Sequence, residues 1–499
     1  MISSLKYYII SLNLKIDFTF IDYSIKKLFG FMIGNIVMIK DLTKGKPLKL
    51  ILLFALPILL GNIFQQLFHI SDILIVGRLL GVKSLAALGA SAPIFFMFLI
   101  VAFGFTGGLT VITAQRFGAK DIKGVKSSFF HSLVASFVFS VIISFCVIFF
   151  LKDILTIMNV PQELMDDAYK FTFVLGLAMS IIILYNLLSG VIRALGDSKT
   201  PLYFLIGSSL LNIVFNFIFI KFFVWGVQGS AMGTLCSVSF SALACIVYIY
   251  AKYPILKLKL KDCQYSAKVM KVHLRVAIPM ALQFSILSIG LLVVQSLCNS
   301  FGTEVIAGFT AAMRIEQVST QPLLALGVAF ATYSAQNFGA ILIKRIRQGV
   351  RQCLIVGLIL SIMISLIVRF YGIDMISFFI ENEDRNIIQI GQNYLLLSSY
   401  FYFFLLCIFI VKNAIQGMGK TFVPVLSSVV ELVARIVVAL YLSEKIGYMG
   451  VFWSGPIAWF LGALTVVIGY FVIISRLNPI FLRRSYLLKW PMSNKKNRG

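Results

Sequence analysis

Charge is scarce in this sequence. Asp, Glu, Lys and Arg make up 13% of the residues, about half the usual share for a soluble chain. With 60% hydrophobic residues, that deficit excludes an ordinary soluble globular protein. Acids are scarcest, 19 against 44 bases, for a net charge of +25. The excess does not read as a nucleic-acid surface, because the bases sit in short segments between long apolar runs, as the positive-inside rule expects of a membrane protein. Histidine is nearly absent. His69, His131 and His273 are scattered without ligand spacing, so neither a metal centre nor the catalytic constellation of a membrane enzyme is read here. The seven cysteines are odd in number and lie mostly inside apolar runs, which excludes a disulfide framework. The runs also lack the alternation of a membrane β-barrel.

What the sequence has instead is apolar length. Runs of about 20 residues recur, each enough to cross a hydrocarbon core about 30 Å thick as a helix. Only helices and closed barrels satisfy the backbone there. The runs predict an all-α integral membrane protein with 12 transmembrane helices, near 50–76, 86–112, 128–151, 168–190, 201–223, 230–251, 274–298, 305–335, 352–370, 391–411, 422–442 and 449–475. Residues 1–46 read as a cytoplasmic lead, of which 1–37 are either a mis-assigned translation start ahead of Met38 or an interfacial amphipathic helix. Alternate loops carry 30 Lys and Arg against 8, which predicts a cytoplasmic location for both termini in a multi-pass plasma or inner membrane protein.

The chain also repeats itself at a shift of about 221 residues. Leu56-Pro57 meets Ile278-Pro279, AQRFGA at 114–119 meets AQNFGA at 335–340, and GVQG at 226–229 meets GYMG at 447–450. RALGDSKTP at 193–201 likewise meets QGMGKTFVP at 416–424, and Ser208, Ser209, Asn212 and Asn216 fall opposite Ser427, Ser428, Glu431 and Arg435. Six spans per half return the second half to the same side, so the two six-helix repeats are parallel and face one another across a central cleft. The expected division is an N lobe at 47–253, a linker at 254–273, a C lobe at 274–475 and a basic cytoplasmic tail at 476–499. Such an arrangement predicts a transporter working by alternating access.

Within the first span Asn62, Gln65, Gln66, His69 and Asp72 recur at helical spacing and form a polar stripe below Pro57. Intramembrane charges are rare and usually functional. Asp72 reads as a proton-loading carboxylate in the outer half of the span, or as an interfacial carboxylate reaching water; Asn62, Gln65 and His69 are its expected partners. Pro57 is the expected hinge. Glu431 and Arg435, at i and i+4, read as a helical ion pair that either locks helices or meets substrate. Arg314 and Glu316 are two apart, so each is expected to pair with another helix, for example Arg314 with Glu431.

The runs ALPILLGNIFQQLFHISDILIVGRLLG, AQRFGAKD, RALGDSKTP and AAMRIEQVSTQPLLALGVAFATYSAQNFGA together resemble the multidrug and toxic compound extrusion (MATE) family. The resemblance covers roughly residues 38–475. It implies two six-helix lobes in a V and export of cationic or amphipathic small molecules against entry of H+ or Na+, with no other cofactor. It carries the family's N-lobe cation site onto Asp72, Asn212, Asn216 and Thr234. Asn216 departs from the acidic pattern, which weakens a sodium reading. The acids that relatives carry on the seventh and tenth helices are missing; Gln283 stands on the seventh. The expected partners are small-molecule substrates and the bilayer, with no nucleic acid, for a monomer. The alternative is a lipid-linked saccharide flippase of the same superfamily, against which twelve spans and few intramembrane arginines argue.

Overall fold

The computed structural model describes residues 41–158, 160–380 and 384–477. The expectations for 1–37 and for most of the basic tail lie outside them. Among the described residues there is no strand. The first half supplies α1 (Pro47–Leu80), α2 (Val82–Gly118), α3 (Ile122–Ile157), α4 (Gln162–Ala194), α5 (Lys199–Phe222) and α6 (Gly226–Lys252). The second supplies α7 (Ala267–Asn299), α8 (Thr303–Ser319), α9 (Gln321–Gly339), α10 (Ile343–Ser377), α11 (Arg385–Tyr400), α12 (Tyr402–Gly417), α13 (Phe422–Ile446) and α14 (Tyr448–Arg476). Helix covers every expected span, and most of the helices run several residues beyond the expected apolar run at one or both ends.

Two crossings are broken. The span expected at 305–335 is α8 followed by α9, interrupted at Thr320 with Pro322 in the first turn of α9. Proline suits that position because the first turn's N–H groups have no intrahelical partner. The span expected at 391–411 is α11 and α12, bent by 51° about Phe401. Ten other helices are long and apolar enough to cross singly. Pro57 lies inside α1, which continues through it.

Apolar side chains such as Phe137, Val141, Phe145 and Phe149 stand exposed along one face of α3, the surface a bilayer would cover. Inside, α1 to α6 and α7 to α14 each form a bundle. They join through a two-fold arrangement in which α1 packs on α9, and α2 packs on both α7 and α9. The first half of α1 places Leu50, Ile51 and Phe54 in one core with Leu323, Leu326 and Phe330 of α9. A smaller core unites Val111, Ala114 and Ala194 with Val276, Met280 and Ala335.

The repeated motifs make this join, and they make it at the basic end of the bundle. A Cβ on Gly118 would fall 2.0 Å from the Gln336 carbonyl oxygen, and one on Gly339 would fall 1.9 Å from that of Gln115. Glycine is therefore what lets α2 and α9 cross backbone to backbone. Gln115 Nε2 donates to the Gly417 carbonyl at 2.7 Å, and Gln336 Nε2 to the Ala194 carbonyl at 2.9 Å. These four contacts are two pairs related by the repeat, and they close the basic end. The adjacent RALGDSKTP turn owes its shape to Gly196 at φ 92°. Asp197 then accepts from the Lys199 and Thr200 N–H groups at 3.0 Å and from the Tyr253 hydroxyl at 2.8 Å.

Candidate functional site

Two cavities follow from this arrangement. The first, about 370 Å³, lies within the N lobe and is walled by α1, α2, α4, α5 and α6, with Gln65, His69, Asp72 and Thr234 on its surface. Asn212 and Asn216 are one helical turn apart on α5 and fully buried. The Asn216 side-chain amide donates to Asp72 Oδ1 and, at 3.3 Å, to Asn212 Oδ1. Thr234 Oγ1 on α6 donates to Asp72 Oδ2 and accepts from Asn212 Nδ2, each at 3.4 Å. Gly233 permits this packing, because a Cβ there would meet Asn216 Oδ1 at 2.0 Å. The four residues carried over from the resemblance thus form one connected cluster. Among the described residues no Lys or Arg lines the cavity.

The rest of the polar stripe behaves differently from the expectation. Asn62 donates to Gln321 Oε1 across the lobe boundary at 3.1 Å. His69 stands edge-on to Phe68 and Phe96, ring centroids 5.5 Å away in both cases. Gln65 lines the cavity. None of the three hydrogen-bonds Asp72 among the described residues. Helical spacing places all of them on α1, but the Gln321 and Phe96 contacts depend on other helices.

The second cavity, about 220 Å³, is central and is lined from both bundles. Its floor includes Ala114, Ala194, Ala335 and Gln416 beside the closed basic end. Phe103, Phe284 and Trp459 contribute aromatic surface, and Asn186 borders both cavities. Its charged lining is Arg193, Lys412, Glu431 and Arg435. The expected Glu431–Arg435 pair is not formed. Glu431 Oε1 instead accepts from Lys412 Nζ at 3.3 Å and from Ser427 Oγ at 3.0 Å. Lys412 comes from a π turn, Ile408–Lys412, whose extra residue re-aims the side chain toward α13. The i,i+4 rule identified a possible partner for Glu431, and a closer ammonium on α12 displaced it.

Arg435 is buried and makes no hydrogen bond or ion pair among the described residues. Gln283 Oε1 accepts from Gln416 Nε2 at 2.7 Å while its own Nε2 has no partner. The expected Arg314–Glu431 contact is likewise absent: Arg314 is exposed and unpaired among the described residues. Glu316 is buried, and its Oε2 accepts from the Tyr394 hydroxyl at 2.6 Å. Glu316 and Tyr394 are 78 residues apart, so no local spacing pointed to the pair.

His131 and His273, without ligand spacing in the sequence, are brought together by the fold. They stack with centroids 6.1 Å apart at the α3–α7 contact. His131 Nε2 accepts from the Ser266 N–H at the start of α7 at 2.9 Å, and His273 Nε2 bonds Ser128 Oγ at 2.8 Å. Their role on these contacts is to fasten α7 to α3.

Comparison with known proteins decides the family. The MatE family model matches residues 57–218 and again 279–441, one match per half of the chain. The chain belongs to the multidrug and toxic compound extrusion family. This MATE protein is 30% identical over 382 residues to a Bacillus subtilis (strain 168) protein named "Probable multidrug resistance protein YpnP", spanning 76% of this chain and 84% of that one. It is 23% identical over 445 residues to the Staphylococcus aureus (strain MW2) "Multidrug export protein MepA", spanning 87% and 96%. Among solved structures, "Crystal structure of MATE in the bent conformation" superimposes with a TM-score of 0.83 at 23% identity, over 91% of this chain and all of that one. The protein is therefore a membrane transporter rather than an enzyme, built as two six-helix repeats about a central cleft.

Proposed function

We propose that this MATE protein is an antiporter that exports amphipathic small molecules by alternating access, coupled to proton entry through Asp72. The observation that carries the reading is the isolation of that acid: its hydrogen-bond partners are the neutral Asn216 and Thr234, and no Lys or Arg lines its cavity among the described residues. An ionised carboxylate in a bilayer interior costs roughly 2.5–3.5 kcal/mol on insertion scales, so an uncompensated one gains by taking up a cation. One carboxylate with two amides and a hydroxyl suits a proton. Sodium favours a cage richer in charged oxygen, and Asn216 stands where the family pattern has an acid.

With the basic end facing the cytoplasm, as the loop charges favour, the closed α2–α9 crossing makes the present state closed inward. Both termini then lie in the cytoplasm. Pro57 lies between Leu50, Ile51 and Phe54, which share a core with α9, and Asp72, which suits a hinge that responds to protonation. The multidrug names of the relatives favour small-molecule export over movement of lipid-linked saccharides. Moving one charge through 100 mV is worth about 2.3 kcal/mol, so exchange of a monovalent cation for a proton would be electrically silent. The test is efflux from vesicles with pH and sodium gradients imposed separately. A pH gradient should drive export at equal sodium; export driven by sodium at equal pH would overturn the proton assignment.

A further inference from the structure

The central cavity has the opposite polarity to the N-lobe one. Lys412 and Glu431 offset each other at 3.3 Å. What remains on its lining is two guanidinium groups, Arg193 and Arg435, and no further acid. Arg193 donates to a neutral hydroxyl, Ser189 Oγ, at 2.6 Å. Arg435 is 5% exposed and has no hydrogen-bonding partner among the described residues. Gln283 adds a buried amide donor that is also unpartnered. The buried Glu316 carboxylate acts on Arg435 through space but bonds Tyr394, so the guanidinium keeps its N–H donors without an acceptor, and its planar fork matches carboxylate and phosphate oxygens in pairs. The remaining wall is largely apolar and aromatic, with Phe103, Phe284, Leu287 and Trp459.

We propose that the central cavity binds the anionic group of an amphipathic substrate, a carboxylate or phosphate, at Arg435 with Gln283 and Arg193 as further donors, and its apolar body against the aromatic wall. The direction of transport rests on the export reading above, but the binding chemistry does not. A monoanion leaving as one proton enters moves two charges in the same electrical sense, so export of such a substrate responds to membrane potential, unlike the silent exchange of a monovalent cation.

The test is calorimetric binding to the full-length purified protein in uncharged detergent, with no gradient, using 1-naphthylacetate, 1-naphthylacetamide and 2-(1-naphthyl)ethylammonium. The acid should bind at least tenfold more tightly than the amide or the ammonium. In Arg435→Gln the acid-to-amide ratio should fall to within about twofold, while Arg435→Lys should retain most of the preference, with thermal unfolding reporting that each variant is folded. If the acid does not bind more tightly than both analogues, or if its preference survives Arg435→Gln in full, the proposal fails. The same chemistry occurs in free amphipathic acids and in anionic lipid headgroups. Displacement of naphthylacetate by phosphatidylglycerol, but not phosphatidylcholine, added to the micelles identifies the lipid source; its retention identifies the free acid. Intact acid preference together with absent gradient-driven efflux would overturn the coupling reading alone.

Discussion

The two halves of this transporter carry side chains of different polarity at the same repeat positions. Asn212 and Asn216 of α5 correspond to Glu431 and Arg435 of α13. In the first half the pair of amides gathers around Asp72, a lone carboxylate. In the second, where no acid faces α13 from α7, the acid of the pair is taken by Lys412 and its base is left facing the central cavity. The basic ends tell the other story: Gln115 and Gln336, and Gly118 and Gly339, make the same contacts in both directions. Duplication thus kept the closure symmetric and let the sites diverge. A closing contact must be matched on both sides, whereas a site needs to be tuned only where its ligand binds.

That comparison can be broken most severely at Asp72. Asp72→Asn should abolish gradient-driven efflux in vesicles while leaving the thermal unfolding temperature near that of the wild type, and retained proton-driven export would remove the N lobe from the coupling. Next comes the charged pair. Glu431→Gln strands the Lys412 ammonium, and breaking a buried pair costs about 3–5 kcal/mol. Asn212→Leu, at the corresponding amide position, should cost about 1–3 kcal/mol; denaturant unfolding in detergent of both variants reads the difference. Equal losses would mean that the C-lobe pair is no more than a polar contact.

The closure should respond symmetrically. Gly118→Ala and Gly339→Ala each drive a methyl into a carbonyl of the facing helix, an overpacking worth about 1–3 kcal/mol. The two should agree closely, with greater labelling of cysteines introduced at the basic end as a second readout. A large disparity would show that one helix yields and the other does not. The smallest effect is expected at the linker. Backbone and ammonium donors from Lys259 and Lys126 hold the Asp262 carboxyl below its ordinary range. This stabilisation is full above the unfolded-state value and is lost as pH falls through the lowered folded-state one. Acidification should therefore loosen the α3–linker tie, visible as faster amide exchange over 257–262, and Asp262→Asn should remove that pH response.

Much of this was readable in advance. Apolar length specified the membrane helices, because a hydrocarbon core accepts few other backbones. Order-preserving motifs specified the repeat, and Asn212, Asn216, Thr234 and Asp72 could be assembled through the family pattern before any contact was seen. Breaks at Thr320 and Phe401 were not readable, since an apolar run reports its length and not its bend. Nor were the Asn62–Gln321, Glu431–Lys412 and Glu316–Tyr394 contacts, which join helices up to 259 residues apart. Sequence alone determined which residues must leave water and which few charges could not be spared. Tertiary structure alone decided which charges cancel, because a salt bridge depends on distances between helices that no local periodicity encodes. On that account Asp72 and Arg435, both rare intramembrane charges in the sequence, stand on the walls of two different cavities.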